Sequence, residues 1–278
     1  VTHRFHEVDV FTAVPLRGNP LAVVHDAESV PDDVMADFAR WTNFSETTFL
    51  LPPTHPAADY RVRIFTPGGE LPFAGHPTLG SCWAWLEAGG RPHEDAAVVQ
   101  ECGVGLVPVR RDGTRLAFAA PPLRRSGPVE ADVLARIVRS LGIAADDIRA
   151  HAWVDNGPGW CAVLLPAAED VLRLDPDPAE LGGLALGVVA PYPMGHPAAF
   201  EVRAFVSGLG IAEDPVTGSL NAGLAQWLIG AGIAPPRYVV SQGTALGRAG
   251  RVHIVQVDGD IWVGGDVTPI VAGTVSLG

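Results

Sequence analysis

Along most of the chain, apolar and polar positions alternate at short range, the period-two signature of half-buried β-strands. The segments HEVDVFTAV, TTFLLPP, YRVRIFTP, AAVVQEC, LVPVRR and RLAFAAP alternate or are rich in β-branched residues, and turn residues separate them. Helical spacing is confined to a few places. PDDVMADFARW, Pro31 to Trp41, carries proline at a first-turn position, PTLGSCWAWLEAGG, from Pro77, ends in glycine, and PVTGSLNAGLAQWLIGAGIAPP, Pro215 to Pro236, holds a helix that is apolar nearly all round. A short helix that is apolar nearly all round is predicted to be the buried centre of a domain.

The pattern then recurs. YRVRIFTPGGELPFAGHPTLGSCWAWLEAGG, Tyr60 to Gly90, can be laid on FEVRAFVSGLGIAEDPVTGSLNAGLAQWLIGAG, Phe200 to Gly232. Each reads as a V-R-x-F strand, a glycine-bearing loop, a proline turn ending in Gly-Ser, and an apolar helix closed by glycine. The counterpart of the helix at Pro31 is either EADVLARIVRSLGI or DPAELGGLA, and both stay open. Solenoids need several copies; two copies instead suggest a duplicated pair of α+β domains, each with strands around one buried helix, and a cleft between them. The stretch APPLRRSGPVE, Ala120 to Glu130, interrupts the strand pattern and marks the join. The expected domains are 1–122 and 123–265, with a C-terminal strand near 266–278 returning to the first.

Composition narrows function mainly by exclusion. A net charge of −12 over 278 residues argues against nucleic-acid and anionic-membrane partners. All 19 basic residues are arginine, so Schiff-base, pyridoxal-phosphate and P-loop lysines are excluded. Cys82, Cys102 and Cys161 form no metal or disulfide pattern, and neither metal nor cofactor is expected. The uncharged stretches Leu181 to Phe200 and Pro215 to Pro236 are broken by proline, glycine and polar residues, and the N-terminus VTHRFHEVDVF lacks a signal-peptide run. A soluble, cytoplasmic protein is expected.

Two stretches carry candidate chemistry. In the repeat, GHPTLGS (Gly75 to Ser81) lies on DPVTGS (Asp214 to Ser219), which sets His76 opposite Asp214, each just before a buried helix. Across a pseudo-twofold cleft the two side chains would approach one ligand from opposite sides. The helix starts add unpaired N–H groups and positive dipole ends, Gly75, Gly80 and Gly218 admit a ligand close to the backbone, and Ser81 and Ser219 add hydroxyls. This set suits a small carboxylate and general acid–base work. The plainer alternatives are a helix-capping aspartate and a histidine that satisfies a buried carbonyl. Glu46, in NFSETTFLL, opens an apolar strand directly after a helix, where desolvation would raise its pKa for proton shuttling; a solvated strand-edge acid is the alternative. Asn19, in RGNPLAVV, is either a turn residue or an amide that orients a ligand.

The motifs DVFTAVPLRGNPLAVV, NFSETTFL, FTPGGELPFAGHPTLGS, EDPVTGSLNAGLA and SQGTALGR, in order from Asp9 to Arg248, resemble the phenazine-biosynthesis PhzF-like family. The resemblance implies a diaminopimelate-epimerase-like fold of two pseudo-symmetric open barrels, each around a central helix, with the active site between them and homodimers common. It implies Glu46, His76 and Asp214 as catalytic residues and matches Gly75 and Ser219 as well; with Asn19, Ser45, Thr78 and Gly218 these two make up the candidate substrate-binding residues. The implied activity is a cofactor-independent isomerisation in secondary-metabolite or antibiotic biosynthesis, of the kind performed on trans-2,3-dihydro-3-hydroxyanthranilate. Glu46 would relay a proton between ring carbons while backbone N–H groups hold the substrate carboxylate.

Related epimerases and racemases use two opposed thiols, whose positions here read as Ala74 and approximately Asp214. That disfavours a two-thiol racemase, because a methyl group cannot exchange a proton. The alternatives carried forward are an amino-acid epimerase and a non-catalytic binder of small anions.

Overall fold

The structure is a computed structural model and describes residues 1–206 and 212–277. The chain divides into two units, Val1–Ala119 with Gly264–Gly278, and Ala120–Val263. The first unit contains β1 (Thr2–Val10), β2 (Asn19–Val24), α1 (Asp32–Thr42), β3 (Thr47–Leu51), β4 (Tyr60–Thr66), β5 (Gly69–Leu71), α2 (Gly75–Glu87), β6 (Ala97–Cys102), β7 (Gly105–Asp112) and β8 (Arg115–Ala119). Then come β9 (Arg125–Gly127), α3 (Ala131–Leu141), β10 (Ala150–Asp155), β11 (Trp160–Leu164), α4 (Ala168–Leu172), α5 (Pro178–Leu181), β12 (Ala185–Pro191) and β13 (Phe200–Val206). The remainder is β14 (Glu213–Asp214), α6 (Gly218–Gly230), β15 (Arg237–Gln242), β16 (Gly250–Val257), β17 (Asp260–Gly265) and β18 (Val267–Ser276).

Pairing directions repeat. In the first unit β1/β2 is antiparallel, β2/β3 parallel, β3/β4 antiparallel, β4/β6 parallel and β6/β7 antiparallel. In the second unit β10/β11, β11/β12, β12/β13, β13/β15 and β15/β16 follow the same sequence of directions. This order settles the open correspondence. Helices α4 and α5 fill the β11–β12 connection as α1 fills the β2–β3 connection, so the counterpart of α1 includes DPAELGGLA. Helix α3 precedes β10 and is an addition to the second unit.

Helix α2 touches β1, β2, β3, β4, β6, β7, β8 and β18, so the strands of the first unit wrap around it. In the second unit α6 packs against β10, β11 and β16. Both approaches need glycine. A Cβ on Gly80 would lie 2.5 Å from Leu21 Cδ2, and one on Gly223 would lie 2.2 Å from the Val154 carbonyl oxygen. Outside the strands, Met35, Phe38 and Ala39 of α1 cover Val24, Phe49 and Phe65, while Ile137, Leu141 and Val171 cover Val163, Val188 and Phe205. With both faces covered, β3 and β13 are buried at every position, so the polar residues they carry, Thr47, Thr48, Glu201 and Arg203, need internal partners.

The V-R-x-F strand builds the same clamp in each unit. Arg63 lies over Phe65 and grips Glu70 of β5 with two hydrogen bonds, of 2.8 and 2.7 Å, while also reaching Asp32 of α1. Arg203 lies over Phe205 and grips Glu213 of β14 at 3.0 and 2.7 Å, while also donating to the Val171 and Leu174 carbonyls. Each clamp fixes the short strand that leads toward the central helix.

The same comparison corrects the expected pairing of His76 with Asp214. His76 is the second residue of α2, inside the helix, and the second residue of α6 is Ser219. Asp214 stands on β14 opposite Ala204, the place that Leu71 holds on β5 opposite Ile64. Two residues separate β4 from β5 whereas six separate β13 from β14, so the shared proline does not mark equivalent positions. No helix among the described residues is long and apolar enough to cross a membrane.

Candidate active site

In the first unit, three expected residues come together. Helix α1 ends at Asn43, which adopts the left-handed conformation (φ 55°) and turns the chain out of the helix. Thr42 and Thr47 hydroxyls, 2.9 Å apart, then bracket the turn that carries Ser45 and Glu46. Glu46 Oε2 lies 3.5 Å from His76 Nε2, with side-chain exposures of 15% for the acid and 4% for the imidazole. The other ring nitrogen of His76 is 3.3 Å from Asn19 Nδ2. Asn19 is set by Asp9, whose carboxylate accepts from the Arg17 and Gly18 N–H groups at 2.7 and 2.9 Å. Gly18 permits this approach, since a Cβ there would lie 2.2 Å from the Val10 carbonyl oxygen.

Burial pushes the His76 pKa down to about 3, with a hydrogen bond to the Pro20 backbone pulling weakly the other way. The ring is therefore neutral around neutral pH. A neutral imidazole can orient the Glu46 carboxylate without cancelling its charge. Glu46 is the more exposed member of the pair and so the one able to meet a substrate.

In the second unit, Asp214 is half-buried and accepts from the Thr217 hydroxyl at 2.6 Å. Thr217, not Asp214, occupies the N-cap position of α6, and its hydroxyl makes no cap bond. Gln242 ties the turn together: its Oε1 accepts from Thr217 N and Asn221 Nδ2, and its Nε2 donates to Thr217 Oγ1. Ser219 Oγ accepts from the Trp160 indole at 3.0 Å, and Asn156 donates to the Ser219 carbonyl at 2.8 Å. Gly75 and Gly218 are the buried first residues of α2 and α6, and neither helix has a side-chain cap. Their first-turn N–H groups are of the kind that binds carboxylates.

Three candidates serve packing instead. Thr78 is fully buried; its hydroxyl donates to the Ala74 carbonyl and accepts from Gln100, so it has nothing to offer a ligand. Ser81 is also fully buried and gives its proton to Thr48. Gly80 faces Leu21 and Val10, where it makes room for strand packing. Residue-by-residue reading missed Gln242, Thr217, Asn156 and Trp160. Gln242 lies in SQGTALGR as an uncharged amide at a strand end and carries no signal of its own, and neither does Trp160. Among the described residues no three His, Cys, Asp or Glu side chains gather as a metal site.

The profile of the family described as phenazine biosynthesis-like protein matches residues 8–269. Antisense-enhancing sequence 1 of Schizosaccharomyces pombe is 36% identical over 98% of each chain. The trans-2,3-dihydro-3-hydroxyanthranilate isomerase of Pseudomonas aeruginosa is 33% identical and covers 90% of this chain and 89% of its own. A solved structure described as a predicted epimerase from P. aeruginosa has a TM-score of 0.80 at 28% identity, covering 99% of this chain and 100% of that one. The fold is α+β and diaminopimelate-epimerase-like. The chain belongs to the phenazine biosynthesis-like family and is an enzyme of the isomerase class.

Proposed function

We propose that this enzyme shifts a proton, and with it a double bond, within a small unsaturated cyclic amino acid like trans-2,3-dihydro-3-hydroxyanthranilate, in secondary metabolism and without a cofactor. The observation that carries the reading is the partly exposed Glu46 carboxylate, 3.5 Å from a buried neutral His76 that Asn19 flanks. In the proposed cycle Glu46 takes a proton from a substrate ring carbon. The released electron pair moves the double bond, and the protonated Glu46 returns the proton to a second carbon. His76 is a positioning residue for Glu46. Asp214 accepts from a substrate ammonium or hydroxyl, and Ser219 with the Gly218 N–H donates to the carboxylate. A two-thiol epimerase fits less well, since burial pushes the Cys82 and Cys161 thiols up to about 12, far from a useful proton carrier.

Proton NMR with trans-2,3-dihydro-3-hydroxyanthranilate in deuterated water tests the reading. The parent should convert it, and E46Q should lose turnover by at least 100-fold, the order expected for removing a general base, while still binding. Full activity in E46Q would end the proton-carrier assignment. Binding without conversion by the parent would discard this substrate.

A further inference from the structure

In each unit a side-chain N–H donor at a strand start reaches the second residue of the central helix, although the pairing registers set Trp160 level with Leu21, two residues beyond Asn19. In the first unit Asn19 opens β2 and sets its amide nitrogen against His76, the second residue of α2. In the second unit Trp160 opens β11 and donates its indole N–H to Ser219, the second residue of α6. Trp160 is 3% exposed, whereas Ser219 is half-buried. The loop before Trp160 is fixed in turn, because Asp155 Oδ1 accepts from the Gly157 and Gly159 N–H groups at 2.7 Å each.

Hydrogen-bond polarity gives this contact a meaning beyond packing. An indole nitrogen only donates, while a serine hydroxyl both donates and accepts. Ser219 Oγ must therefore accept from Trp160, and its own proton must point elsewhere. Among the described residues, Trp160 is the hydrogen-bond partner of that hydroxyl. The neighbouring Thr217 hydroxyl is already committed to Asp214. What remains at the start of α6 is a hydroxyl proton beside uncapped helix N–H groups, an arrangement suited to an anionic oxygen.

We propose that Trp160 is a positioning residue that fixes Ser219 as a hydrogen-bond donor to the substrate carboxylate. This rests on reading the enzyme as one that acts on a small carboxylate-bearing amino acid. The carboxylate is not the reacting group, so the contact is equal in ground and transition states and acts on KM rather than kcat. W160F keeps most of the aromatic bulk and removes the donor, leaving the Ser219 hydroxyl free to turn. Losing the benefit of about one net hydrogen bond should weaken carboxylate binding roughly five- to tenfold.

Calorimetric binding of two probes to the full chain tests this. The first is 3-hydroxyanthranilate, the aromatic analogue of the proposed substrate; the second is 2-aminophenol, the same ring without the carboxylate. W160F should weaken the first about five- to tenfold and leave the second unchanged. In an S219A background W160F should add nothing, because Trp160 acts through that hydroxyl. With trans-2,3-dihydro-3-hydroxyanthranilate, W160F should raise KM and keep kcat. Equal losses for both probes, or the same loss with and without Ser219, would overturn the proposal. Failure of the parent to bind 3-hydroxyanthranilate would overturn the substrate reading and the carboxylate role with it. The bond itself has a separate readout: the Trp160 indole proton resonance should move upfield in S219A, and an unmoved signal would overturn the positioning contact whatever the substrate.

Discussion

Replacing Glu213 by glutamine tests whether the two arginine clamps differ in strength because they differ in burial. E213Q keeps the side-chain shape and removes one charge. The Arg203 and Glu213 side chains are 8% and 6% exposed, so the variant strands a desolvated guanidinium with mainly the Val171 and Leu174 carbonyls for company. Removing one partner of a buried pair costs about 3–5 kcal/mol. In the first unit, Arg63 and Glu70 are 21% and 42% exposed, and Arg63 keeps Asp32 at 2.5 Å. E70Q should therefore cost about 0–1 kcal/mol, as water screens the loss. Differential scanning calorimetry of both variants reads the contrast as a melting temperature lowered by roughly 6–20 °C for E213Q and by less than about 4 °C for E70Q. Urea unfolding gives the corresponding difference at 25 °C. A loss below about 1 kcal/mol in E213Q, or equal losses in the two variants, would refute the burial argument.

Two further outcomes follow from burial and close packing. Burial lowers the His25 pKa to about 4, helped by His6 and Arg4, and lowers that of His76 to about 3, from 6.5 for an ordinary histidine. The unfolded chain therefore takes up these protons first, so their stability contribution is full above about pH 6.5 and is lost as pH falls toward 4, by up to about 1.4 kcal/mol per pH unit for each ring. H25N should flatten the slope of stability against pH in that window, and an unchanged slope would count against the assignment. At the central helices, G223A drives a Cβ into the Val154 backbone whereas G80A meets the movable end of Leu21. G223A should lose stability near the top of the usual overpacking range of about 1–3 kcal/mol, while the helix propensity gained by alanine offsets much of the loss in G80A. Chemical denaturation ranks the two, and the reverse order would contradict the packing.

The internal repeat makes the two-unit α+β plan legible in the sequence. V-R-x-F, the glycine-closed apolar helix and the flanking strands each occur twice, and tertiary packing gave both copies the same pairing order. Glu46 stands out through the resemblance of NFSETTFL, because an acid at the mouth of an apolar strand reads by itself as a solvated edge residue. The partners of the site were harder to see. Trp160 lies 59 residues from Ser219 and Gln242 lies 25 from Thr217, and such contacts leave no local periodicity. The pairing of His76 with Asp214 failed for a related reason. A proline follows both residues, but α2 starts one residue before the histidine and α6 starts four residues after the aspartate.

The mismatch between the His76 and Asp214 positions separates scaffold from chemistry within a single chain. Positions that do the same mechanical job in both units hold the same residue types: Arg63 and Arg203 over Phe65 and Phe205, Glu70 and Glu213 as their acids, and glycine where each central helix meets its strands. Positions at the helix mouths do not match. The strand-opening donor is Asn19 in one unit and Trp160 in the other; the second helical residue is His76 or Ser219; the short strand carries Leu71 or Asp214. The scaffold holds these slots by packing and paired charge, so their occupants can change without altering the strand order. One unit thereby presents a carboxylate backed by a neutral imidazole, and the other an acid with an oriented hydroxyl. On the proposed function, a substitution at one of these helix-mouth positions should alter activity far more than stability, whereas one at a clamp should do the reverse.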